Sequence, residues 1–362
     1  MLDYYFLVFY LTLIALISPF LNKKDLQACL YLFLFLIILF TAFRHFSGAD
    51  YEAYINIYEA SRLNILKFDF FDRNGMEPLY SITNSFFSTL GMPGFLFLAL
   101  LAAISISSKG YIFNKLSLNP VVSLFVYFSL VYISSEFIQI RWTLALSLIF
   151  AGFYFYNVKR YFASFLLLFL ASFIHIFSFL VLLLVIANKV IFERCNTGAR
   201  FWTLLGLSLV FSILIDLVYV VNWFQAFVGE SYLKYKILGY TNNFKEAASN
   251  LFVFKYILFG LAVLYFKIKY NDLNSNALIS LFFTFLCVFF ILLDIPMLAS
   301  RLSLVIDFLF SIIVINNVAK FKFYNSLIVN VTIVFISSAY WCYNIFVSFL
   351  AGNIFPYKTW LY

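Results

Sequence analysis

Long apolar runs alternate with short polar breaks along the chain. Runs at Tyr4–Leu21, Leu26–Phe43, Leu118–Ser135, Trp142–Val158, Phe201–Val221, Leu251–Phe266, Asn276–Leu293, Leu302–Ala319 and Tyr324–Phe349 stand out. Each approaches the ~20 residues that carry a helix across ~30 Å of hydrocarbon. Two regions depart from this pattern. Pro78–Ser108 is interrupted by Gly91-Met92-Pro93-Gly94. Its second half, from Gly94, reads as a span, and its first half as a short helix lying at or dipping into the surface. Tyr161–Ala187 carries His175 near its middle.

Lysine and arginine concentrate in cytoplasmic loops. Lys23/Lys24, Lys109/Lys115, Lys159/Arg160, Lys189/Arg194/Arg200, Lys267/Lys269 and Lys320/Lys322 make natural inner loops. The long loops Arg44–Glu77 and Asn222–Asn250 then fall outside. Keeping both Lys159/Arg160 and Lys189–Arg200 inside requires Tyr161–Ala187 to enter and return. Each leg has about 13 residues, roughly 20 Å of helix. That predicts a re-entrant or tilted hairpin with His175 near its outer tip. A competing arrangement makes Pro78–Ser108 two spans and Tyr161–Ala187 one. It buries His175 at mid-membrane, puts Arg141 inside and satisfies the charge rule at fewer loops. The expected fold is all-α: one polytopic membrane domain over residues 1–362 with about 10–12 transmembrane helices and both termini outside.

Composition agrees. Of 362 residues, 65% are hydrophobic and 11% charged, against roughly 25% charged in soluble domains. The net charge of +8 is spread over the loops, so it carries topology and not a nucleic-acid footprint. Cys29, Cys195, Cys287 and Cys342 form no CxxC pair, and neither a disulfide framework nor a zinc site is expected. The first segment lacks a basic leader and an A-x-A cleavage pattern, so it reads as a retained helix. The sequence has no Walker motif, no GxGxxG before a soluble βαβ unit and no HExxH. No cofactor or metal is expected, and an ATP- or nucleotide-sugar-driven activity is disfavoured.

Chemistry concentrates at the predicted outer face. The stretch from Phe43 to Tyr58 places Arg44 at a membrane edge, then the glycine turn at Gly48, then Asp50 opening a helix. Asp50 is expected to cap that helix through its carboxylate. Tyr51, Tyr54 and Tyr58 share one helical face, as substrate contacts or as part of an aromatic belt. Glu77-Pro78, Glu136, Arg141, His175, Asp294 and Arg301 join the same face in this topology. The planar fork of Arg suits phosphate oxygens. Arg44, Arg141 and Arg301 are therefore candidate ligands of a lipid-linked diphosphate, whose departure needs positive charge more than a proton donor. Asp50, Glu77 or His175 would serve as base for an attacking sugar hydroxyl. The structural alternatives are ion pairs: Arg44 with Asp50, Arg141 with Glu136, Arg301 with Asp294 or Asp307. His175 could equally bond a backbone carbonyl. Asp216 and Lys255 read as structural. The aromatics Trp223, Phe224, Tyr232, Tyr235, Tyr240 and Phe244 suit either interfacial anchoring or sugar stacking.

This ordered set resembles the Wzy/EpsG-type polysaccharide polymerases of O-antigen, capsule and exopolysaccharide clusters. The matching pieces are Phe43-Arg44, Gly48-x-Asp50-Tyr51-x-x-Tyr54, Glu77-Pro78-x-Tyr80, Ile140-Arg141 with Ala145, Phe173-Ile174-His175-x-x-Ser178, Arg301, Tyr343-Asn344 and Pro356-Tyr357-Lys358. Arg141 and Gly152 also stand at an R-x10-G spacing. Trp142 departs from the pattern, which has glutamine after the arginine. The resemblance implies a metal-independent glycosyl transfer at the outer face of the bacterial inner membrane. A growing glycan on undecaprenyl diphosphate would pass to the non-reducing end of a lipid-linked repeat unit. Implied partners are the lipid-linked oligosaccharides, membrane lipids, a chain-length regulator and a flippase, with no nucleic acid. An O-antigen ligase or other polyprenyl-phosphate-dependent glycosyltransferase would use the same arginines but a larger periplasmic domain. A flippase or transporter would show inverted repeats and a midplane path of ionisable groups.

Overall fold

A computed structural model describes residues 1–61, 76–192, 206, 208, 250–270 and 276–359. The expected span Phe201–Val221, the loop Asn222–Asn250 with its aromatics, and Asp216, Arg194, Cys195 and Arg200 lie outside the described residues, Gly206, Ser208 and Asn250 excepted. So does much of the loop between Arg44 and Glu77.

The described elements are helical. They are α1 (Leu2–Ile17), α2 (Lys23–Ala42), α3 (Tyr51–Ala60), α4 (Pro78–Thr89), α5 (Gly94–Leu116), α6 (Pro120–Val131), α7 (Ile140–Asn157), α8 (Tyr161–Ser172), α9 (Phe177–Ala187), α10 (Asn250–Tyr270), α11 (Asn276–Ile291), α12 (Pro296–Val318) and α13 (Phe323–Leu350). Six described segments, including α2, α5, α12 and most of α13, are long and apolar enough to cross a membrane. The protein is an all-α, multi-pass membrane protein.

Helix starts follow local chemistry. The Asn22 side chain accepts from the backbone N–H groups of Lys24 and Asp25, both at 3.0 Å, and opens α2. Asn119 caps α6 through the Val122 N–H, with Pro120 at the first helical position. Pro78 does the same for α4. The break at Gly91-Met92-Pro93-Gly94 separates short α4 from long α5, as the pattern predicts, and Gly91 supplies the positive φ of 77° that ends α4. Tyr161–Ala187 likewise divides into two short helices, with His175 in the turn between them.

The chain forms two compact units. The first holds α1–α8, the start of α9, the end of α12, and α13. Within it α5 packs on α2 and α7, α7 on α8, and α13 on α1 and α6. Gly110 permits the α2–α5 approach, because a Cβ there would lie 2.4 Å from the Leu34 side chain. In the second unit Asp307 of α12 accepts from Tyr256 at 3.1 Å and pairs with Lys255 at 3.4 Å, both on α10. Lys255, read from the sequence as structural, is thus paired within its own unit.

One assignment is corrected. Lys109 is not a loop cation. It lies within α5, fully buried, and forms an ion pair with the equally buried Glu136. Its ammonium also donates to Ser105 Oγ at 2.8 Å, Thr143 Oγ1 at 2.7 Å and the Thr143 carbonyl at 3.0 Å. Ser105 Oγ donates in turn to the second Glu136 oxygen at 3.1 Å. Two charges inside an apolar bundle persist because the ammonium and both carboxylate oxygens are hydrogen-bonded. Glu136 sits in a π-helical turn, Ile133–Ile138, that ends the α6 span.

Removing one partner strands the other charge. Lys109→Met is expected to cost about 3–5 kcal/mol, read as a lower unfolding midpoint in detergent. The double variant Lys109→Met/Glu136→Met should recover most of that loss, since apolar replacement of both charges is often neutral or better.

Candidate functional site

Polar residues of the first unit gather at one end, where α1 starts, α2 stops, and α4 and α7 begin. The π turn after α6 is the hub. Arg44 is 2% exposed, donates from Nη1 to the Glu136 carbonyl at 2.9 Å, and lies over the Phe137 ring at 4.8 Å. Gly48 packs against the same turn: a Cβ there would meet the Phe137 carbonyl oxygen at 2.8 Å. The Arg44–Gly48 segment is held from the other side by the tail. His45 N–H donates to the Lys358 carbonyl at 2.8 Å, Phe355 N–H to the Ser47 carbonyl at 2.9 Å, and Ala49 N–H to the Asn353 carbonyl at 3.1 Å. Tyr357, in the expected Pro356-Tyr357-Lys358 motif, donates to the Phe40 carbonyl at 2.8 Å.

Arg141 stands in the first turn of α7. Its Nη1 donates to Glu77 Oε2 at 2.9 Å and to Met76 Sδ at 3.0 Å. Its guanidinium lies over Tyr80 at 5.7 Å and Tyr54 at 6.0 Å. Its Nε has no hydrogen-bond partner among the described residues, and its side chain keeps 21% of its surface exposed. Glu77 is buried. Its second oxygen accepts from the Ile176 N–H at 3.3 Å, so one carboxylate ties Arg141 to the α8–α9 turn. Leu79 N–H adds a bond to the Phe173 carbonyl at 2.9 Å. His175, 4% exposed, packs against Trp142 with ring centroids 5.0 Å apart and the rings tilted by 58°. Its Nδ1 accepts from the Phe177 N–H at 3.3 Å.

The tyrosine stripe of α3 faces protein. Tyr51, Tyr54 and Tyr58 are buried against Tyr80 of α4, Phe97, Leu98 and Leu101 of α5, and Ile140 of α7. Tyr58 stacks on Phe97 at 4.6 Å and donates to the Met92 carbonyl at 2.7 Å. The stripe thereby fixes α3, with Asp50 at its head, over the Arg141 site.

Asp50 differs from expectation. It occupies the N-cap position, but its carboxylate makes no capping bond. Its backbone is in the helical region, φ −89° and ψ 0°, whereas a capping residue needs extended dihedrals to turn its oxygen back onto the first turn. The exposed carboxylate forms no hydrogen bond with any described residue. Partial withdrawal from water pushes its pKa up, opposed by the charge of Arg141.

Two of the suggested arginine ion pairs, and one of the two partners suggested for Arg301, are also corrected. Arg44 bonds a carbonyl and not Asp50. Arg141 pairs with Glu77 and not Glu136, whose partner is Lys109. Asp307 is taken by Lys255 and Tyr256. Arg301 lies in the first turns of α12 in the second unit. The first unit therefore brings together Arg44, Asp50, Tyr51, Tyr54, Glu77, Arg141 and His175. Sequence reading missed Lys109, Met76 and the π turn. The one signal for Lys109 was its i, i+4 spacing from Ser105 inside an apolar run.

A polytopic helical membrane protein with an arginine–carboxylate cluster at one end of its bundle is the class these features define. The EpsG family model matches residues 27–359. The chain belongs to that family, which is associated with exopolysaccharide biosynthesis. No curated protein and no solved structure matches it.

Glu77 clamps the α8–α9 turn, so Glu77→Gln should loosen it. Amide exchange at Ile176, measured in nanodiscs, is expected to quicken roughly 10–100-fold, for the ~1.5–3 kcal/mol of a hydrogen bond to a charged group. Unchanged exchange would remove the clamp role.

Proposed function

We propose that this protein is an exopolysaccharide polymerase of the bacterial cytoplasmic membrane. It transfers a glycan from undecaprenyl diphosphate to the non-reducing end of a lipid-linked repeat unit on the outer face. The observation that carries this reading is the juxtaposition of a half-committed guanidinium, Arg141, with an uncapped carboxylate, Asp50, at one end of a membrane bundle.

In this mechanism Arg141 receives the diphosphate on the donors that Glu77 and Met76 leave over. Asp50 takes the proton of the attacking sugar hydroxyl. The hydroxyl oxygen forms the new bond to the anomeric carbon as that carbon's bond to the phosphate oxygen breaks. The electron pair leaves on the diphosphate, where the guanidinium offsets the developing charge. An upward pKa makes Asp50 a stronger base than an ordinary carboxylate. Glu77 is committed to Arg141 and the α8–α9 turn, so it orients. His175 is packed against Trp142 and bonded at Nδ1, and is the rival base. Arg44 acts through the π turn as a positioning residue. Tyr51 and Tyr54 hold α3 and wall the site. Lipid-linked repeat units are the substrates, and a flippase and a chain-length regulator are the partners this reaction calls for.

Deleting the chain and running the glycans on a gel separates the readings. A polymerase deletion leaves single repeat units. Unattached polymer would indicate a ligase, and no displayed glycan a flippase. With purified lipid-linked repeat units, Asp50→Asn is expected to lower the rate about 10²–10⁴-fold. A near wild-type rate would move the base role to His175 or Glu77. The same assay should show an acid limb set by Asp50, lying above the usual carboxylate range because its pKa is raised. Activity falls as the pH drops through that limb and the carboxylate takes up its proton. Arg141→Lys should be damaging at normal protein levels, because an ammonium cannot bond Glu77, Met76 and a phosphate from one plane.

A further inference from the structure

A groove of about 610 Å³ runs along the first unit between α5 and α7. Its floor is one face of α7, where Leu144, Leu148, Ala151 and Phe155 fall at i, i+4, i+7 and i+11. Opposite, Ile104, Ser107, Ser108 and Tyr111 line one face of α5. The channel is open because Ser107, Ser108, Ser147 and Ala151 are small where large apolar residues would fill it. Thr83 of α4 and Ile174 of the α8–α9 turn border its upper part.

We infer that this groove seats the isoprenoid chain of the carrier lipid, with its diphosphate at Arg141. Three observations support that occupant. Leu144 lies one helical turn past Arg141, so the groove begins directly beneath the guanidinium. Tyr80 joins the two: it lines the groove, lies under Arg141 at 5.7 Å, and its buried hydroxyl has no hydrogen-bond partner among the described residues. That hydroxyl could donate to a phosphate ester oxygen. From Leu144 to Phe155 the floor extends about 16 Å, roughly half the ~30 Å hydrocarbon layer. A chain whose head sits at Arg141 would therefore run inward from the site. The inference rests on the lipid-linked substrate proposed above.

The test uses the full-length protein in nanodiscs of phosphatidylethanolamine and phosphatidylglycerol. The probe is a polyprenyl diphosphate carrying a diazirine in an isoprene unit near the head. Labelling is expected in peptides covering Ile104–Tyr111 and Leu144–Phe155, and excess undecaprenyl diphosphate should suppress it. Ala151→Trp should fill the groove and lower both labelling and polymerisation about tenfold or more, the equivalent of losing one or two buried methylenes' worth of contact. If that variant does not fold, Ala151→Leu and Ser108→Leu give a graded series with the same expectation. Equal suppression by added phosphatidylglycerol would overturn the inference by showing a general lipid seat. So would labelling confined to the separate groove between α1 and α2, lined by Phe6, Tyr10 and Leu36. Full labelling and polymerisation in a folded Ala151→Trp protein would also overturn it. Groove labelling in a protein whose deletion leaves polymer length unchanged would sink the polymerase reading and keep the lipid seat.

Discussion

The buried pair of Lys109 and Glu136 is the constraint on which the arginine end of the first unit depends. An ionised lysine and glutamate inside an apolar bundle are tolerated only with full mutual compensation. Compensation fixes the Glu136 side chain on α5, and that fixes the π turn carrying it. The main chain of the turn then presents one carbonyl to Arg44 and another to the close approach of Gly48. Two residues past the turn, α7 begins and Arg141 follows. A single ion pair in the interior thus sets the positions of two arginines nearer the end of the unit. π turns of this kind occur often at functional sites, and here the cause is visible: the extra residue lets Glu136 point inward while its carbonyl points to Arg44.

The two arginines have divided their work. Arg44 is buried, bonded to main chain and stacked on Phe137, so its charge organises protein. Arg141 is partly exposed, spends part of its fork on Glu77 and Met76, and keeps donor capacity. The carboxylates divide in the same way. Glu77 is bound on both oxygens, while Asp50 is bound on neither by any described residue. The tyrosine face of α3 makes that arrangement possible. It buries one side of a helix that carries Asp50 at its head, and so holds an exposed carboxylate in place without touching it.

Much of the fold was legible because its signals are local. Apolar runs long enough to span and the glycine–proline break before α5 read directly from the sequence. The division of Tyr161–Ala187 came from charge at its two flanks, and the structure shows the break at Phe173–Ile176. The site was legible only as a set of residues. Arg44, Asp50, Glu77, Arg141 and His175 were marked by being ionisable near membrane edges, but their partners were misassigned. Proximity in sequence suggested Arg141 with Glu136 and Arg44 with Asp50. Tertiary packing chose Glu77 and a carbonyl. Lys109 was misread because a lysine late in an apolar helix looks like one reaching for the interface. Nothing in its neighbours reveals a carboxylate 27 positions away.

The pairing of the tail with the Arg44–Gly48 segment has a consequence for biogenesis. Ser47 bonds Lys358, 311 positions later in the chain. Helices α1 to α9 can insert as they are made, each burying its own backbone polar groups. The segment after α2 cannot adopt its final hydrogen bonds until the tail has been synthesised and brought to the same side. A partly made protein would sit in the membrane with its helices formed and its arginine end unassembled. Such an intermediate would be inserted but incomplete, with the main-chain groups of the Arg44–Gly48 segment still bonded to water until the tail arrives.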